Sequence, residues 1–325
     1  MEEPPPERVP TVYLDDTSKS ALTYNQSPDI PFDASLNPYR GCEHGCIYCY
    51  ARPTHEYLGL SAGLDFETRI LVKRDAAALL ERELSSPRWQ PQLIALSGVT
   101  DPYQPIERQL GITRACLEVL ADFRNPVTVV TKSSLVTRDL DLLARLAEHD
   151  AASVYVSITT LDAELSRRLE PRAPHPEQRL KAIAELSAAG IPCGVLAAPM
   201  IPAVNDHEVP AILAAAAEAG AKDAGFVMLR LPGAVAGIFT DWLTEHFPDR
   251  VDKVLNRQRE IRGGKLNDPR FGNRMRGEGV FAEQVRAMFH AATRKHGLNR
   301  FRMELSTAAF RRDARAPQLS LFGEP

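Results

Sequence analysis

The chain has 325 residues, 44% hydrophobic and 25% charged, with a formal net charge of −3, a balance that supports a sizeable core and excludes disordered, collagen-like and low-complexity classes. No apolar run approaches the roughly 20 residues a membrane helix needs, and the acidic, proline-bearing opening MEEPPPERVP is unlike a secretory leader, so a cytoplasmic protein with no membrane partner is expected. Five cysteines, three of them clustered and Cys116 and Cys193 isolated in apolar segments, do not form a disulfide framework.

In chain order, residues 1–35 are polar and proline-bearing and read as an irregular arm. Next comes Gly41-Cys42-Glu43-His44-Gly45-Cys46-Ile47-Tyr48-Cys49-Tyr50, a Cys-x3-Cys-x2-Cys run, then a short helical stretch near Ala51 to Leu60. From there strands and helices alternate. FETRILVK is read as a strand, DAAALLEREL as a helix, LIALSG (Leu93 to Gly98) as a strand and Ile112 to Phe123 as a helix. PVTVVTKS (Pro126 to Ser133), the helix from Asp139 to His149, SVYVSIT (Ser153 to Thr159) and the helix from Pro176 to Ala189 follow. CGVLAAPM (Cys193 to Met200), the helix EVPAILAAAAEAG and AGFVMLRLP (Ala224 to Pro232) complete the series. Short β-branched runs alternating with amphipathic helices predict an α/β fold with a parallel sheet. About six units fall short of an eight-stranded barrel, so a partial (βα)6 barrel over residues 36–235 is expected. A basic, mainly helical region over residues 236–312 and a flexible tail, 313–325, would follow it.

Three thiolates on one short loop can hold three irons of a [4Fe–4S] cube and leave the fourth iron open to a ligand such as S-adenosylmethionine. The alternative for Cys42, Cys46 and Cys49 is a Cys3His zinc site completed by His44. Right-handed crossovers place every strand's C-terminal end on one rim. The polar residues there are Ser97, Thr100 and Asp101, then Thr131, Lys132 and Ser133, then Ser157, and farther on Pro199, Asn205, Asp206 and Arg230. A zwitterionic methionine, a ribose and an adenine need a cation, hydroxyls and backbone amides, which this rim offers.

The cysteine spacing together with TDPYQPIE, VVTKS, VSITTLD and AAPMIPAVND resembles the radical S-adenosylmethionine (radical SAM) superfamily, in particular its spore photoproduct lyase-like branch. The likeness covers roughly residues 36–235 and continues more weakly to about residue 300. It implies that Cys42, Cys46 and Cys49 ligate a [4Fe–4S] cluster. It also implies that Thr100, Lys132 and Ser157 hold the methionine and ribose groups, with Lys132 on the carboxylate, and that backbone at Ala198 meets the adenine. Tyr48 and Tyr50 match a tyrosine pair that relays a hydrogen atom, although Tyr48 could instead pack against the cofactor. A reducing partner such as flavodoxin or ferredoxin is implied as well. The branch's hydrogen-donating cysteine falls on Gly98, which cannot donate a hydrogen atom.

Residues 257–302 carry 12 Lys and Arg against 4 Asp and Glu, while residues 1–256 carry 24 against 35. The basic stretch reads either as the footprint of a phosphate backbone or as a solvated face that balances an acidic core. Near the end, Gln318-Leu319-Ser320-Leu321-Phe322 resembles the peptide with which bacterial DNA repair proteins dock on the sliding clamp. Three functions are therefore expected to compete: a radical SAM enzyme acting on DNA or another nucleic acid, a radical SAM enzyme modifying a protein or metabolite, and a non-catalytic, cluster- or zinc-stabilised nucleic-acid-binding module.

Overall fold

The computed structural model describes residues 9–300 and 303–312. Ten strands occur among them: β1 (Val12–Asp15), β2 (Leu22–Tyr24), β3 (Ala34–Leu36), β4 (Tyr39–Arg40), β5 (Arg69–Val72), β6 (Ile94–Leu96), β7 (Val127–Thr131), β8 (Ala152–Ser157), β9 (Cys193–Met200) and β10 (Asp223–Met228). The main sheet has the order β10-β9-β8-β7-β6-β3-β2, parallel except for β2 at one edge. Six parallel strands joined through helices make an open partial barrel, as expected.

The first parallel strand is not the expected one. FETRILVK does supply a strand, β5, but it pairs with β1 and β4 in a separate three-stranded sheet. The place beside β6 belongs to β3, whose Ala34, Ser35 and Leu36 pair with Ile94, Ala95 and Leu96. The segment read as an irregular arm therefore contributes β1, β2 and β3. A three-residue Ala-Ser-Leu strand carries almost no alternating pattern of its own; the edge of β6 dictates its conformation. The stretch at Ala51 to Leu60 is a 3-10 helix, Arg52–Leu58, with Pro53 in its first turn. The helix expected from Asp139 begins at Leu140 after a 3-10 turn.

Helices Ala76–Ser85, Ile112–Phe123, Leu140–Ala147, Pro176–Ala188 and Val209–Glu218 fill the crossovers. Each turns an apolar stripe to the sheet; in Leu140–Ala147 it is Leu142, Leu143 and Leu146. Helix Gly279–His296 packs on helix Val209–Glu218 and covers Phe226 with Phe289, ring centroids 4.7 Å apart. The outer edge of β10 is occupied by Asn299, whose side chain accepts from the Ala224 N–H at 2.6 Å and donates to the Ala224 carbonyl at 3.0 Å. An edge strand satisfied in this way offers less to a second chain.

Residues 303–312 cross the N-terminal ends of the strands. Ser306 N donates to the Asp150 carbonyl ahead of β8, Arg311 N to the Phe123 carbonyl ahead of β7, and Arg312 Nη2 to the Trp89 carbonyl ahead of β6. Phe310 lies 6.2 Å from Phe123, ring to ring. The cysteine loop is on the opposite rim.

Candidate functional site

The cysteine loop leaves β3 and β4 at the C-terminal rim and is held almost entirely by its backbone. Arg52, fully buried, donates from Nε to the Cys46 carbonyl at 3.0 Å and from Nη2 to the Gly45 carbonyl at 3.2 Å. Its Nη2 also reaches Glu67 at 2.5 Å. Arg172 clasps the Glu43 carbonyl and the same Glu67. From the other side, Gln104 accepts from Glu43 N at 2.9 Å and donates to the Gly41 carbonyl, while Glu43 accepts from Ile106 N at 2.8 Å. Gly45 has φ +67, and a Cβ there would overlap the Arg172 guanidinium and the Glu67 carboxylate. Only glycine fits a left-handed position packed so closely.

The rim residues divide by what they touch. Asp101 is mostly buried, its side chain 9% exposed, and both of its carboxylate oxygens are engaged by protein. Oδ1 accepts from Thr131 Oγ1 at 2.6 Å and from Tyr103 N at 2.9 Å; Oδ2 accepts from Lys132 N at 2.7 Å and lies 3.4 Å from His44 Nδ1. Asp101 thus ties the cysteine loop to the end of β7. Burial alone would raise its pKa, but His44 and these hydrogen bonds hold it at about 2. Thr100 donates its hydroxyl to the Tyr39 carbonyl at 2.9 Å, and Ser97, at φ +140, donates to the Thr100 carbonyl at 3.2 Å. Ser157 closes β8, its carbonyl held by Arg179 at 3.1 Å. Ala198 lies in β9, its carbonyl 3.0 Å from the Thr159 hydroxyl.

Lys132, half-buried, sets its ammonium 5.8 Å from the centre of the Tyr48 ring. Tyr48 is buried, and its hydroxyl donates to Glu170, which also lies 2.6 Å from the Thr159 hydroxyl and pairs with the wholly buried Arg179. Burial would raise the Glu170 pKa, but Arg179 and Lys132 draw it down to about 2. Tyr50 is placed differently: the residue is 47% exposed, its hydroxyl donates to the Gly98 carbonyl, and the Arg230 guanidinium lies over its ring at 4.9 Å.

The three thiols lie within electrostatic reach of one another, and burial pushes all of them up, Cys46 to about 12. Lys132 and Arg179 pull Cys46 the other way, as Arg52 and Lys132 do Cys49. Among the described residues no three His, Cys, Asp or Glu side chains already converge as a closed metal site. His44 turns Nδ1 toward Asp101. Cys116 and Cys193 are buried in helix Ile112–Phe123 and at the start of β9, away from the rim. Three thiols on one braced loop, Cys42 and Cys46 buried and Cys49 half-buried, flanked by cations and with no fourth cysteine on the rim, fit a cluster held at three corners.

Sequence reasoning named the cysteines and the strand-end residues but missed Arg52, Glu67, Gln104, Thr159, Glu170, Arg172 and Arg179. Arg172 and the Glu43 carbonyl that it clasps are 129 positions apart, and no local pattern links them. Of the basic stretch, Arg262 is buried and donates to carbonyls of Met228, Leu229, Asn273 and Arg274. Arg274 pairs with Asp29, and Arg270 with Asp268 and Glu278. Much of that charge therefore holds the fold. Gln318, Leu319, Leu321 and Phe322 lie outside the described residues.

Comparison with known proteins locates the likeness. The model of the radical SAM superfamily matches residues 36–216. An uncharacterized protein of Mycobacterium bovis is 39% identical over 264 residues, 79% of this chain and 76% of its own length. An uncharacterized protein of Methanocaldococcus jannaschii is 30% identical over 173 residues, 53% of this chain and 62% of its own. Among solved structures, spore photoproduct lyase complexed with dinucleoside spore photoproduct superposes with a TM-score of 0.63 at 16% identity, covering 88% of this chain and 80% of that one. A variant of the lyase with bound AdoMet and the same dinucleoside gives 0.62 at 16%, covering 91% and 82%. At such identity the likeness shows a common fold.

Proposed function

Because the chain belongs to the radical SAM superfamily, which implies a [4Fe–4S] cluster and S-adenosylmethionine, we propose that it cleaves that cofactor reductively and acts on a nucleic acid. The observation that carries the first part is the braced loop bearing Cys42, Cys46 and Cys49 on the rim where Lys132 follows β7, Ser157 ends β8 and Ala198 lies two residues short of the end of β9. The chemistry such a cluster supplies when bound is one-electron reduction of S-adenosylmethionine, which releases methionine and the 5′-deoxyadenosyl radical. The chain's own work is positional. Cys42, Cys46 and Cys49 hold the cluster, Arg52 and Arg172 fix the loop that presents it, and Lys132 meets the methionine carboxylate. Ser157 and the backbone at Ala198 receive the ribose and adenine. Tyr48, its hydroxyl held by Glu170, forms the wall beneath Lys132, while Tyr50 faces the open side where a substrate enters.

The nucleic-acid reading is supported by the fold shared with an enzyme crystallised with a dinucleoside and by the basic residues after β10. With glycine at position 98, the outcome differs from any reaction needing a thiol hydrogen donor there. Anaerobic reconstitution should give about four irons per chain and 5′-deoxyadenosine from S-adenosylmethionine under reduction. Alanine at Cys42, Cys46 or Cys49 should abolish both, and alanine at Cys116 or Cys193 neither. Stoichiometric zinc with no iron uptake would sink the proposal.

A further inference from the structure

Arg230 stands two residues beyond β10 on the same rim as the cysteine loop, and its surroundings are unusual for a half-buried cation. Its guanidinium covers the Tyr50 ring at 4.9 Å, and Nη1 reaches only the thioether of Met275 at 3.6 Å. Its Nε is buried with no hydrogen-bond partner, and no carboxylate among the described residues pairs with it. Asp29, the nearest acidic influence, is itself bonded to Arg274 and Gly272 N. Burial followed by the Arg274 charge disfavours the protonated guanidinium, so the site is short of negative charge. A fork of N–H donors held over an aromatic ring suits a bidentate oxyanion.

The geometry points to Arg230 as the anchor for a phosphodiester of the substrate, with the neighbouring base on the exposed Phe271. This rests on the nucleic-acid reading above. A phosphodiester is favoured over a carboxylate because Arg230 does not stand alone. Arg274 lies 4.6 Å over the ring of Phe271, which is 59% exposed, and Tyr50 is open on the same side. Arg274 is already paired with Asp29, but a cation without a carboxylate, Arg230, beside two exposed aromatics matches a strand whose phosphates and bases alternate. Lys132, which lies over the Tyr48 ring and not Tyr50, is left to the cofactor.

The test is the anisotropy of a fluorescent ten-nucleotide thymidine oligomer bound to the reconstituted protein across a salt series. Each single-strand phosphate neutralised contributes about −0.7 to the slope of log affinity against log salt. Arg230→Gln should reduce the slope by about that amount and weaken binding at least about tenfold at low salt. Arg230→Lys should keep the slope while losing part of the affinity. Met275→Glu, which gives the guanidinium an internal carboxylate and leaves Arg230 in place, should reproduce the Arg230→Gln slope. If Arg230→Gln matches the wild type, or weakens binding with an unchanged slope, the anchor is overturned while the nucleic-acid reading stands. If wild-type protein binds no oligomer, both fall. If a glutamate-rich peptide displaces the oligomer from wild type but not from Arg230→Gln, the site takes carboxylates and the phosphodiester assignment is wrong.

Discussion

At the residue scale, the cysteine loop is braced by groups whose loss would be felt before any chemistry is measured. Arg52 satisfies the carbonyls of Gly45, Cys46, Ala62 and Gly63 and pairs with Glu67. Removing one partner of such a buried arrangement costs about 3–5 kcal/mol, so Arg52→Ala should lower the urea midpoint and the iron retained after reconstitution together. Lys132→Ala should leave iron content intact and weaken S-adenosylmethionine binding by about 1.5–3 kcal/mol, read by equilibrium dialysis; unchanged affinity would remove Lys132 from the cofactor site. Asp101 and Glu170 have folded pKa values of about 2 against ordinary values of 3.8 and 4.5. Their stabilisation is complete above the ordinary values and is lost as pH falls through them toward 2. Urea midpoints should therefore drop between about pH 4 and pH 2, less steeply in Asp101→Asn. The cysteines are legible in the sequence because three ligands on one loop declare themselves by spacing. Their braces are not, because a guanidinium and a carbonyl brought together by folding leave no periodic trace.

At the element scale, legibility follows length. The strands β7 and β8, rich in Val, and the apolar β9, all of five residues or more, stand out nearly to the residue. The three-residue β3 does not, and β5, with a stronger pattern, takes its place in a reading by periodicity. Periodicity measures how apolar a segment is and not which edge it joins. Leu36 is fully buried between β6 and β2, so Leu36→Ala should cost about 2–5 kcal/mol in urea unfolding; a cost near zero would mean that β3 is not part of the core. Just past β6, Gly98 sits at φ +117, and a Cβ added there would meet no atom closer than 3.8 Å. Gly98→Ala should therefore destabilise through backbone strain alone, by about 1–3 kcal/mol, without displacing Ser35.

At the scale of the whole molecule, two ends of the barrel are put to different uses. The C-terminal rim carries the thiols, Lys132 and Arg230, while the N-terminal ends of the strands are crossed by residues 303–312. A peptide of residues 313–325 is expected to bind purified bacterial sliding clamp at micromolar concentrations, since burial of Leu321 and Phe322 is partly offset by the ordering of the segment. Gln318→Ala should eliminate that binding and leave cofactor cleavage untouched. No binding at several hundred micromolar would refute the docking reading. Arg312, fixed to the carbonyls of Leu84, Ser86 and Trp89, moors the chain on the side facing away from the thiols. A partner held on that side would act as a leash, raising the local concentration of substrate while the rim bearing the thiols stays clear.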